Sequence, residues 1–138
     1  MIQAMRQTLR LLLVEDEALI AMMAEDMIDG LGHRVVQTAT TLAEALEACA
    51  NVDFDVALLD VNLNGDTSMA VATALKQRGC PFAFTTGYGA GGVDPAHSDC
   101  PVLTKPYALS ELDLLLTNFS AQLAGTRSMT SSVESNRG

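Results

Sequence analysis

Two hydrophobic patterns alternate along the chain. Residues 9–14 read LRLLLV, aliphatic apart from Arg10 and without polar alternation, as expected for a strand covered on both faces. Over residues 18–31 the period changes. Ile20, Ala24, Met27, Ile28 and Leu31 recur at helical spacing, while Glu25, Asp26 and Asp29 mark a solvated face. Gly32 is placed to end that helix. The alternation then repeats. Residues 34–38 predict a second strand, and Thr41-Leu42-Ala43-Glu44 resembles a capping box opening a helix to about residue 50. Residues 54–61 are a third strand, apolar almost to Asp60, followed by the turn NLNGD and a helix over 68–78. PFAFTT and PVLT supply the fourth and fifth strands, and Pro106 ends the fifth. Leu109, Leu112, Leu116, Phe119 and Leu123 give the last helix one apolar stripe.

Strands alternating with helices predict an α/β fold with right-handed crossovers and a parallel sheet. The domain is expected over residues 9–124. Residues 1–8 form an N-terminal extension, and 125–138 a disordered tail with almost nothing to bury. Between strands four and five lies GYGAGGVDPAHSDC, whose glycines and Pro95 leave room only for a short, late helix around 95–99.

Composition narrows the class. A chain of 138 residues suits one domain with a real core, and that core is aliphatic: 49% of residues are hydrophobic but only 4% aromatic. Seventeen acids against 8 bases give a formal charge of -9, which disfavours contact with nucleic acid or an anionic membrane. No run is long enough to span a bilayer, and MIQAMRQTLR lacks the apolar core of a secretion signal, so a cytoplasmic location is expected. Cys49, Cys80 and Cys100 lack metal-type spacing and read as reduced thiols. His33 and His97 each stand alone beside a turn residue, and no function is expected of them.

Ligands of parallel sheets bind beyond the carboxyl ends of the strands. Those ends carry Glu15, Asp16 and Glu17 after strand one, Asp60 after strand three, Thr86 after strand four and Lys105 after strand five. Glu17 should already belong to the turn into the first helix. Carboxylates crowded on one rim are costly unless a cation neutralises them. A few hard oxygen ligands suit Mg²⁺. A carboxylate beside that ion can act as a nucleophile toward phosphorus. The Lys105 ammonium would share the phosphoryl charge, and Thr86 offers a hydroxyl. Singly, each group has an ordinary explanation: Asp60 as a turn residue, Lys105 as a solvated charge, Thr86 packing by its methyl, the acids as a helix N-terminus. Their joint occurrence on four strand ends of one sheet does not.

Over residues 9–123 the chain resembles the receiver domain of bacterial two-component response regulators, in its single-domain form. The resemblance implies a flavodoxin-like, doubly wound five-stranded sheet of order 2-1-3-4-5, with helix four short or poorly formed. It implies that Asp60, in LLDVNLNG, accepts a phosphoryl group from a histidine kinase or histidine phosphotransfer protein. Asp16 would bind Mg²⁺ directly, Glu15 as the outer acid through water, and Asp60 and the backbone carbonyl of Asn62 would complete the site. Thr86 would be the switch hydroxyl and Lys105, in TKP, the phosphoryl contact. CPFAFTTGYG is similar to the PFxFATGY signature of one subfamily, with Thr85 in place of its Ala, which hints at stress signalling. Val102 stands where most receivers carry an aromatic residue, and Tyr88 is the candidate to replace it as the moving aromatic. The output would be phosphorylation-dependent contact with a downstream protein, or draining of phosphoryl groups as a sink, and not turnover as an enzyme.

Two other classes compete. A haloacid-dehalogenase-like phosphatase also uses an Asp nucleophile, but it needs a second Asp two residues on as general acid, where this chain has Asn62. Its acid pair also follows the Lys, whereas here the pair precedes the nucleophile. A pseudo-receiver that only docks partners would have no need of Asp16, Asp60, Thr86 and Lys105.

Overall fold

The computed structural model describes residues 8–87, 93 and 95–137, with 126–137 described by backbone alone. In chain order the elements are β1 (Arg10–Val14), α1 (Ala18–Gly30), β2 (Arg34–Ala39), α2 (Leu42–Asn51), β3 (Val56–Asp60), β4 (Asn62–Leu63), β5 (Asp66–Thr67), α3 (Met69–Gln77), β6 (Phe82–Thr86), β7 (Val102–Thr104) and α4 (Leu109–Arg137), with a 3₁₀ turn at Pro95–His97. Five strands form a parallel sheet in the order β2-β1-β3-β6-β7, and β4 pairs only with β5. With that hairpin set aside, the order is the expected 2-1-3-4-5 of a flavodoxin-like fold.

Period-two alternation divides β1 between two cores. Leu12 and Val14 join Leu59 and Phe84 over the small faces of α2 and α3, Ala45, Ala48, Val71 and Ala72 among them. Leu11 and Leu13 join Leu58 and Ala83 against Ala21, Ala24 and Ile28 of α1 and Leu112, Leu116 and Phe119 of α4. Every residue of β3 and β6 is buried, which accounts for their apolar runs up to Asp60 and Thr85.

The helix ends carry the expected chemistry, with one difference. After α1, Gly32 sits at φ 87°; its N–H bonds Asp29 O, and His33 N–H bonds Ile28 O, a Schellman arrangement. At α2 the Thr41 hydroxyl accepts from Glu44 N–H at 3.1 Å, but Glu44 Oε1 reaches back one residue further, accepting from Thr40 N–H at 2.8 Å. His33 has a structural use: its Nδ1 accepts Leu9 N–H at 2.9 Å, while Arg34 N–H bonds Leu9 O at 3.0 Å. His97 is buried in the 3₁₀ turn with its ring edge-on to Phe84.

One expectation needs correction. NLNGD is a small antiparallel hairpin and not a bare turn, with Asn62 opposite Thr67 and Leu63 opposite Asp66. Past residue 124 the α4 backbone is helical to Arg137. A helix already nucleated by packing adds one hydrogen bond per further residue, and residues 126–137 contain no proline to stop it. Where a short, late helix is expected around 95–99, Pro95–His97 form a 3₁₀ turn. No helix among the described residues is long and apolar enough to cross a membrane.

Candidate functional site

The parallel register fixes where each polar strand end emerges. Val14 lies beside Leu59, Asp60 beside Thr85, and Thr86 beside Thr104. Glu15 extends β1 by one backbone bond, its N–H to Ala39 O at 3.0 Å, so its side chain stays buried. Lys105 N–H bonds Thr86 O at 2.7 Å and so starts from the same rim.

From that position Lys105 Nζ donates to Asp60 Oδ2 at 3.0 Å and to Glu15 Oε1 at 3.1 Å. The three side chains are 16%, 8% and 4% exposed for Lys, Asp and Glu, so water screens this ion triad little. One oxygen from each of Glu15, Asp16 and Asp60 lies within 4.8 Å of the others. Three acids therefore face one ammonium. Burial pushes the Glu15 carboxyl up to about 7; the Asp60 charge adds to this, while Glu17 N–H and Lys105 oppose it. Burial acts to lower the Lys105 pKa, but its bonds to Asp60 and Glu15 outweigh burial and hold it above the ordinary value.

This donor set fits a hard divalent cation. It offers clustered carboxylate oxygens, excess negative charge and an open cleft of about 750 Å³ bordered by Asp16, Asp60, Asn62, Thr86 and Lys105. Glu17 caps α1 without a side-chain bond, as expected of a turn residue, and its N–H bonds Glu15 Oε2 at 3.2 Å. Thr86 is buried at the end of β6 and lines the cleft. Asn62 is exposed on the hairpin, its N–H on Asp60 Oδ1 at 3.2 Å and its side-chain oxygen accepting from Gly65 N–H at 3.0 Å. Val102 is partly buried in β7, and Tyr88 lies outside the described residues.

Two residues near the site escape sequence reasoning. Asn64 N–H donates to Asp16 Oδ2 at 2.9 Å; the Asn-Gly pair signals a hairpin turn but not what its amide meets. Tyr107 follows the cis Lys105–Pro106 bond, and burial followed by the nearby Glu15 charge raises its hydroxyl pKa. Periodicity carried no sign of it.

Residues 11–116 match the model of the response regulator receiver domain, and the chain belongs to that family. Particular relatives narrow the likeness. The phyllosphere-induced regulator PhyR of Methylorubrum extorquens is 38% identical over 81 residues, which is 56% of this chain but only 30% of that protein. The solution structure of SdrG from Sphingomonas melonis Fr1 is 42% identical with a TM-score of 0.73, covering 81% of this chain and 96% of SdrG. The anti-anti-sigma factor PhyR from Bartonella quintana is 25% identical with a TM-score of 0.76, covering 94% of this chain and 54% of that one. The chain thus spans a third to a half of the PhyR proteins it matches.

Proposed function

We propose that this receiver domain takes a phosphoryl group onto Asp60 from a histidine kinase or histidine phosphotransfer protein. The observation that carries the reading is the pair of hydrogen bonds that Lys105 Nζ donates to Asp60 and Glu15 beside a third acid, Asp16. Glu15, Asp16, Asp60 and the Asn62 backbone carbonyl would hold Mg²⁺. When bound, the ion supplies positive charge to the phosphoryl oxygens. A carboxylate oxygen of Asp60 forms the new P–O bond as the donor's P–N bond breaks, and the imidazole leaves with its electron pair. Lys105 offsets charge on the transferring group, and the Thr86 hydroxyl donates to it once it is on Asp60.

The readout is then a protein–protein contact that depends on phosphorylation, with a phosphoryl sink as the second reading. A relative named as an anti-anti-sigma factor favours the first, though only about half of that protein corresponds to this chain. The protein works as an acceptor and not as a turnover enzyme, in the cytoplasm.

Intact-mass measurement after acetyl phosphate and Mg²⁺ tests the reading. The expected result is one stable phosphoryl adduct that Asp60→Ala abolishes. Steady release of free phosphate would instead point to a phosphatase, and no adduct at all to a docking module.

A further inference from the structure

The β4–β5 hairpin does more than return the chain to α3. Its turn residues Asn64 and Gly65 both have positive φ, 51° and 90°, the signature of a type I′ turn. From this segment two alternate amides reach the acids: Asn62 N–H to Asp60 Oδ1 at 3.2 Å, and Asn64 N–H to Asp16 Oδ2 at 2.9 Å. Carboxylates from two different strand ends are thus held by one short piece of backbone. That piece is itself fixed. Leu63 is buried in the core, and Ser68 donates to Val61 O twice, from N at 3.0 Å and from Oγ at 3.1 Å. Gly65 N–H closes the turn on Asn62 Oδ1.

Asp16 is only partly buried, and without a partner its carboxylate would sample several rotamers. Ordering it before the cation arrives removes that cost from binding. We propose that Asn64 is a positioning residue of the cation site: its backbone N–H, presented by the left-handed turn, fixes the Asp16 carboxylate toward Glu15 and Asp60 and so sets Mg²⁺ affinity. The inference rests on the cation reading above. The required property is tolerance of positive φ, not the Asn side chain. Gly should therefore replace Asn64, while a β-branched residue, which resists that conformation, should not.

Mg²⁺ titration by calorimetry, with the Asn64 amide followed by NMR, tests this on the full chain. Asn64→Gly should bind within about twofold of wild type, and Asn64→Val on the order of tenfold more weakly, as for loss of a partner that orients a metal ligand. Gly65→Ala should weaken binding in the same direction; it is exposed with nothing within 4 Å of an added Cβ, so it strains only the turn and carries the test if Asn64→Val does not fold. Wild-type affinity in folded Asn64→Val, or in Gly65→Ala where that variant carries the test, would overturn the role of the turn while leaving the cation site standing. An equal loss in Asn64→Gly would overturn it too, by assigning the effect to the side chain. Wild-type protein that binds no Mg²⁺ would overturn the site and this inference together.

Discussion

Lys105 Nζ holds Glu15 and Asp60 apart from their mutual repulsion, so Lys105→Met should harm function beyond the loss of one phosphoryl contact. Labelling of Asp60 by acetyl phosphate should slow on the order of a hundredfold, the scale for removing one charge-stabilising donor. Rapid-quench labelling decides; a wild-type rate would remove Lys105 from the chemistry. A second prediction concerns a residue without a role in the site. Cys80 is buried, its thiol donating to Asp55 O and Pro81 O, and burial pushes it up to about 12. In the unfolded chain it ionises near the ordinary value of 9.0. Between those values the folded state alone keeps the proton, so stability falls as pH rises, by at most about 1.4 kcal/mol per unit. Chemical denaturation from pH 8.5 to 11 should show a shallower decline in Cys80→Ala than in wild type, and equal slopes would contradict the assignment. The strand-end acids and Lys105 were legible in sequence because a parallel sheet brings its carboxyl ends together. Tyr107 and the Asn64 amide were not, because each reaches the site through local loop geometry.

At the scale of elements, α1 carries three of the six large hydrophobic side chains exposed among the described residues, with two on α4 and one on α2. Leu19, Met22 and Met23 are 70%, 59% and 56% exposed on α1. Beside them an apolar groove of about 270 Å³, lined by Ile20, Met27, Pro106 and Tyr107, shares Ile20 and Lys105 with the acidic cleft. An apolar surface continuous with the acceptor site suits the protein that delivers the phosphoryl group. Met22→Glu should therefore slow labelling by a phosphorylated histidine protein about tenfold, on the scale of a modest interface contact. Labelling by acetyl phosphate, which needs no docking, should be unchanged. Equal rates with the protein donor would show that it seats elsewhere. The strands and helices were legible because each is long enough to express its period. Of the hairpin only the Asn64-Gly65 turn was legible, since strands of two residues carry no period.

For the molecule as a whole, the acidic cluster exchanges stability for function. Three carboxylates gather where one ammonium cannot neutralise them, in a chain already at -9. Asp16→Asn keeps an oxygen for the Asn64 amide and removes one of the repelling charges. In metal-free buffer the variant should therefore melt above wild type, as substitutions that relieve a strained site commonly do. Adding Mg²⁺ should reverse the order. A ligand that binds only the folded state at a hundred times its Kd contributes about 2.7 kcal/mol, roughly 10 °C for a domain of this size. Wild type should gain that increment and Asp16→Asn little of it. Thermal melts with and without Mg²⁺, at matched ionic strength to remove general screening, measure both halves of the claim. If wild type melts higher in both buffers, Asp16 serves the fold rather than the cation. If Mg²⁺ raises both proteins equally, the ion acts on the acidic surface at large and the cluster at the strand ends is not its site.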